Sequence, residues 1–227
     1  MSFKKVFLGL SLVPFLAGYA HSHSDYTYVG LGLGASYAQL NTHANVVGTD
    51  SFTQGLSLSK GSVLAQVEAG HVKHLESVFL MGEGFFRAPE NEANGKTTAV
   101  INGNQIKTTL RVKRRYTAGL SAKVGKRFES SKWSGIAGLG LLMSEFDVKM
   151  NVANNGGRSL RTITGLGVAP TVGLIWHECE SMPIRFDYSC EIYRTLKAKK
   201  VSVGQIVIQP KINPLYHVFM VSVGYKI

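Results

Sequence analysis

Between Tyr26 and Ile227 hydrophobic side chains recur at every second position, in segments separated by polar stretches rich in asparagine and glycine. The last segment shows the rule most plainly. His217, Phe219, Val221, Val223, Tyr225 and Ile227 alternate with Val218, Met220, Ser222, Gly224 and Lys226. A period of two marks a β-strand with two unlike faces. At a chain end such a strand offers an unpaired edge, and closing it onto the first strand of a barrel removes that edge.

Eight segments of this kind are predicted, at about residues 26–39, 60–72, 77–87, 108–124, 133–146, 160–176, 183–195 and 217–227. Long polar connections (40–59, 88–107, 147–159 and 196–213) alternate with short turns (73–76, 125–132 and 177–182). An even strand number, with long connections at one end and short turns at the other, is the pattern of a membrane barrel. The expected fold is all-β: an eight-stranded antiparallel up-and-down transmembrane β-barrel. Asn94-Gly95 predicts a hairpin turn inside the second connection. The alternation of Val201–Ile208 predicts a hairpin that extends the walls, and Pro170 predicts a bulge or a lost ladder bond.

Alternation also assigns faces. Val29, Leu31, Leu33, Ala35 and Tyr37 are expected toward lipid, with Gly30, Gly32 and Gly34 toward a narrow interior. In the fourth segment Leu110, Val112, Tyr116, Ala118, Leu120, Ala122 and Val124 share the outer face. Arg111, Lys113, Arg115, Thr117, Gly119, Ser121 and Lys123 share the inner one, and Arg114 alone is out of step. Glu68, Glu83, Lys113, Arg115, Lys123, Arg185, Asp187 and Glu191 are expected inside the barrel. An eight-stranded interior is just filled by side chains, so these groups read as an ion-pair network. A narrow polar path through them is the alternative. The basic set Arg111, Arg114, Lys197, Lys199, Lys200 and Lys211 maps near the outer rim, as solvated charge or as contacts for lipopolysaccharide phosphates.

Composition agrees. The 227 residues are 44% hydrophobic and 17% charged, yet no apolar run after the N-terminus reaches the ~20 residues of a membrane helix. At the N-terminus Lys4 and Lys5 precede an apolar segment from Val6 to Leu16, then Gly18-Tyr19-Ala20. This predicts a secretory signal over residues 1–20, cleaved after Ala20, and one barrel domain over 21–227. Cleavage removes two lysines from a formal charge of +11 and leaves +9. Export argues against nucleic acid as the partner and makes lipopolysaccharide phosphate the anionic candidate. Cys179 and Cys190 are expected to be free thiols, one in a turn and one in mid-strand, too far apart along an extended chain to bridge.

Two other motifs carry little. Gly30-x-Gly32-x-x-Ala35 matches a dinucleotide fingerprint, but a turn-rich loop follows where that fold needs a helix. His21 and His23 would be residues one and three of the cleaved chain, a spacing that with the free amine suits Cu(II) or Ni(II). A frayed polar terminus is the plainer reading, and no cofactor is expected.

On Tyr28-Val29-Gly30, Arg185-Phe186-Asp187-Tyr188 and Val223-Gly224-Tyr225-Lys226-Ile227, the chain resembles the small outer-membrane β-barrel superfamily. That group includes the transmembrane domain of outer membrane protein A, the OmpX-like proteins and the opacity-type surface proteins. The resemblance implies a cell outer-membrane location in a Gram-negative bacterium and a non-enzymatic surface role, structural or adhesive, with a narrow passive pore as the alternative. It implies a monomer among outer-membrane lipid and lipopolysaccharide, with loops that meet a host-surface ligand. Val223, Tyr225 and Ile227 take the place of the signal read by the outer-membrane assembly machinery, although the family usually ends in phenylalanine. Lipid A deacylase barrels carry His-x-Ser on a strand; here His217 is followed by Val218 and Phe219, so no enzyme is expected.

Overall fold

The computed structural model describes residues 25–47, 52–75, 77–89, 91–101, 104–129, 131–152, 158–178, 181–198, 200–203 and 206–227. Eleven strands form one sheet: β1 (Tyr26–Val47), β2 (Phe52–Leu75), β3 (Val78–Pro89), β4 (Asn91–Ile101), β5 (Asn104–Arg127), β6 (Trp133–Val152), β7 (Arg158–Trp176), β8 (Ile184–Tyr193), β9 (Leu196–Lys197), β10 (Val201–Val203) and β11 (Ile206–Lys226). Eight of them close a ring in the order β1-β2-β3-β5-β6-β7-β8-β11, and β11 returns to β1 from Tyr28↔Lys226 to Val47↔Val207. The terminal alternating strand thus finds its partner at the other end of the chain. The expected signal segment and His21 and His23 lie outside the described residues.

Around the middle of the ring the side chains face as alternation requires. Leu31 is 69% exposed and Val63 78%, and Leu120, Leu141, Leu166, Val172, Phe219 and Val221 join them in a belt that only lipid would cover. Trp133 stacks on Trp176 at 6.0 Å at one margin of the belt, and Phe86 on Tyr116 at 5.7 Å at the other. Aromatic pairs of this kind suit the two interfaces of a bilayer.

The strands run far past the expected loops. β2 holds 24 residues, roughly 80 Å of extended chain, several times what a ~25 Å apolar band needs. The first connection is therefore mostly ladder, paired out to Val46↔Phe52. In the second, the Asn94-Gly95 turn is overturned. Both residues lie within β4, opposite Arg111 and Leu110, and the β4–β5 hairpin closes at Ile101↔Asn104. Gly95 lets the strands pack closely there, since a Cβ would push aside the Leu56 and Leu58 methyl groups. Val201–Ile208 does form a hairpin, β10 with the start of β11.

Beyond the belt the ring opens at two seams. β2 pairs with β3 only as far as Leu64↔Pro89, and β7 with β8 only as far as Gly167↔Tyr193. Past these points β4, β5, β6 and β7 make one sheet, while β2, β1 and β11, with β9 and β10, make another. The two face each other across buried Leu40, Leu58, Ile208 and Ile212 on one side and Leu110, Val112, Val148 and Met150 on the other. Polarity therefore inverts along each long strand. Within the belt apolar residues face out; above it they face in, as in a two-sheet sandwich standing in water. This corrects the outward placement of Leu110 and Val112. A bulge between Arg114 and Tyr116 shifts the β5–β6 register by one residue, and every side chain above it changes face.

Pro170 costs a ladder bond. β7–β8 pairing lapses at Ala169 and Pro170 and resumes in the same register at Thr171↔Ser189. Cys190 is a free thiol, and Cys179 lies outside the described residues.

Candidate functional site

Inside the belt, charged side chains from four strands, β2, β3, β5 and β8, meet on the barrel axis. Arg185 of β8 is the lower hub. Its guanidinium lies 2.6 Å from Glu68, 2.7 Å from Glu83 and 2.7 Å from Asp187. Lys123 of β5 sits 2.7 Å from Glu83 and 3.2 Å from Asp187. Tyr28 donates to Glu83 at 2.7 Å, and Ser121 donates to it at 2.9 Å. These carboxylates fit because small residues stand opposite: a Cβ at Gly30 would come within 2.9 Å of Glu68.

A second hub lies above. Glu191, wholly buried, bridges Arg87 and Arg114. Arg87 also donates to Gln66 at 2.9 and 2.8 Å, and Gln66 donates to Glu68, so the two hubs form one network. Its members balance: Glu68, Glu83, Asp187 and Glu191 against Arg87, Arg114, Lys123 and Arg185. The Arg114 guanidinium stacks over the Tyr216 ring at 3.7 Å, while its Nε and Nη2 make no hydrogen bond among the described residues. Asp187 Oδ1 is also without one.

Both ends of the network are capped by apolar side chains. Phe146, Tyr193, Tyr216 and Leu142 lie above it, and Val72, Phe79, Met81, Ile136 and Ile175 below. Between the hubs a cavity of about 20 Å³ is lined by Glu83, Lys123, Asp187, Arg87 and Glu191, roughly the room one water takes.

The structure brings Glu68, Glu83, Lys123, Arg185, Asp187 and Glu191 together, and places two expected members elsewhere. The bulge turns Arg115 out, where it pairs with Asp147 at 2.9 Å. Lys113, expected inside, turns out with it and stands opposite Asp147. For the same reason Arg114, expected at the rim, is fully buried. Arg87 joins them: at the last position of the third predicted segment, it continues the inward parity of Glu83 and Phe85. Of the basic rim, Arg111 is exposed and bonded to Glu92, which holds that carboxyl below its usual range. Lys197 and Lys200 are exposed, Lys211 is half-buried, and Lys199 lies outside the described residues. Val223, Tyr225 and Ile227 all face out.

At the short-turn end, His177 Nε2 lies 2.9 Å from Ser134 Oγ. Burial, then the charges of Arg127, Lys226 and His74, push its pKa down to about 4 from 6.5. A base depressed in the fold is neutral there, and the unfolded chain takes up its proton first. Its contribution to stability is complete above 6.5 and declines as pH falls toward 4. His177→Gln should flatten that part of the pH profile of the unfolding midpoint, and an unchanged profile would refute the assignment.

A closed eight-stranded ring with an apolar belt outside and a charge-filled lumen is the fold of the small outer-membrane β-barrels. The chain is similar to the outer membrane protein OprG of Pseudomonas aeruginosa (12% identity, 91% of this chain and 98% of that one, TM-score 0.60). Similar at the level of topology are Neisserial surface protein A (14%, 90% and 100%, TM-score 0.41) and the attachment invasion locus protein Ail of Yersinia pestis in complex with a heparin analogue (12%, 89% and 99%, TM-score 0.39). No family model and no curated protein matches the sequence. The likeness to OprG is one of fold.

Proposed function

We propose that this is a non-enzymatic, non-conducting surface protein of the outer membrane, structural or adhesive, whose extended sheets make the contacts. The observation that carries the reading is the sealed lumen. A charge-balanced network fills it, apolar caps close both ends, and the polar outer walls of the two sheets are the surface left to meet a partner. In this reading residues 1–20 are a cleaved export signal. Val223, Tyr225 and Ile227 present the strand that the assembly machinery reads, and the monomer sits among lipopolysaccharide whose phosphates meet Arg111, Lys197, Lys199, Lys200 and Lys211. Buried ion pairs of this geometry hold their partners tightly, because separating them leaves a charge in a dry interior.

Reconstituted into planar bilayers, the purified protein should give no stepwise current. Discrete current steps would favour the alternative, a narrow passive pore along the line of polar groups from Arg114 to Asp187.

A further inference from the structure

The sheet built on β1, β2 and β11 carries no acid above the belt: residues 37–47, 52–61 and 206–217 include no aspartate or glutamate. Its outer wall changes character in three steps. Lowest is a depression of about 460 Å³ in the lipid face, lined by Ala35, Tyr37, Gly61, Val63 and Phe219. That volume falls among those of small-molecule sites. It exists because Tyr37, Val63 and Phe219 surround two small residues. A Cβ at Gly61 would meet nothing nearer than the Ser36 carbonyl oxygen at 3.8 Å. The Phe219 side of the depression is held in place. The Tyr188 ring packs on Phe219 at 4.8 Å, and the Tyr188 hydroxyl lies 2.8 Å from His217 Nδ1.

Next come amides and hydroxyls. Gln39, Asn41, Ser57, Ser59 and Asn213 are exposed on the same wall, above Tyr37, Gly61 and His217 in register. The side-chain oxygens of Asn41 and Asn213 accept from Ser57 Oγ at 3.1 Å and Thr195 Oγ1 at 2.7 Å, which leaves their amide N–H groups to donate outward. Highest are two cations, Lys211 of β11 directly opposite Lys197 of β9. Like charges in that position repel, and an anion between them reverses the cost. From Phe219 up to Lys211 the strand covers about 27 Å, or about 20 Å of height at a barrel tilt. Half a bilayer with its headgroups measures about the same.

Apolar, then hydrogen-bonding, then cationic is the order that complements an acylated sugar phosphate standing in one leaflet. We propose that this wall holds one lipopolysaccharide molecule at a fixed place. An acyl chain lies in the depression over Ala35 and Gly61, the sugars meet the amide band, and a phosphate sits between Lys197 and Lys211. A plain phospholipid has no sugar to meet the amides. A second copy of the chain would set Lys197 and Lys211 against their own kind. This site rests on the lipopolysaccharide contact proposed for the surface protein, and adds the groove that fixes one of the lipid's chains.

The experiment uses the full chain folded in detergent, incubated with rough lipopolysaccharide or with phosphatidylglycerol, and read by native mass spectrometry as the detergent is raised. Lipopolysaccharide should be retained about tenfold more tightly than phosphatidylglycerol. Gly61→Leu fills the depression without a clash. It should keep the heat-dependent gel mobility of a folded barrel and weaken lipopolysaccharide retention about tenfold, the effect of roughly two buried methylenes. Gly82→Leu makes the same change at another belt position where a Cβ meets nothing, and should leave retention as it was. Lys197→Glu should weaken retention of lipopolysaccharide and not of phosphatidylglycerol. Retention lowered by Lys197→Glu but not by Gly61→Leu would overturn the groove and leave the phosphate contact standing. Retention indifferent to both changes, or equal for phosphatidylglycerol, would overturn the groove and the contact together. An equal loss in Gly82→Leu would reduce the site to general lipid contact and overturn it. A dimer that Gly61→Leu abolishes, with no lipid bound, would overturn it in favour of a second copy.

Discussion

Replacing Glu191 by glutamine is expected to lower the stability of the folded barrel by roughly 3–5 kcal/mol. The two side chains have the same shape, so the change removes charge and little else. Arg87 and Arg114 would then share a buried site with no carboxylate between them. Gln66 already accepts from Arg87, but among the described residues Arg114 has no other acid, only the face of Tyr216 and the Tyr193 hydroxyl at 3.5 Å. Urea titration of the heat-resistant gel band in detergent would measure the loss. Adding Arg114→Met should restore part of it, since the remaining Arg87 keeps its bonds to Gln66. A Glu191→Gln midpoint equal to that of the unaltered protein would rule out a charge-holding role for this hub.

The second large effect is expected at Arg185. Its guanidinium is the meeting point of Glu68, Glu83 and Asp187, and Tyr28 OH accepts from it at 3.0 Å. Arg185→Leu leaves three carboxylates with Lys123 as their nearest cation, and the cost should again be roughly 3–5 kcal/mol. The diagnostic quantity is the coupling to Glu83. If the two act as one pair, Arg185→Leu/Glu83→Gln should be less destabilised than the sum of the single changes by about 1–3 kcal/mol. Strict additivity would mean that the Arg185–Glu83 contact contributes nothing of its own. The exposed Lys132–Glu178 pair, at 2.8 Å, is the contrast: water screens it, and its removal should change the midpoint little.

Alternation read the belt well because lipid imposes one rule on every strand. Leu31, Val63, Leu166 and Phe219 had one place to go, and their partners had the other. Six members of the network, from Glu68 to Glu191, could be placed inside by parity alone. Their pairing could not be read, because which acid meets Arg185 depends on strand order, stagger and tilt. Arg87 carries the same inward parity at the last position of its segment. Arg114 and Arg115 exchanged roles through a single bulged residue, which changes the face of everything beyond it and leaves no mark in composition.

The long connections failed for a different reason. Leu40, Thr42 and Leu58 turn inward while Asn41, His43, Ser57 and Ser59 face water, and a strand with one polar face toward water shows fewer hydrophobic residues than a lipid-facing one. Sequence by itself determined a closed barrel of eight strands, an apolar belt and a charged lumen, all consequences of a period of two and a solvent that accepts no backbone polarity. Tertiary structure alone decided where the ring splits into two sheets, which cations share Glu191, and which edge of β7 stays open. Those features come from register and from contacts between strands distant in the chain, and a local pattern of apolar and polar residues does not encode them.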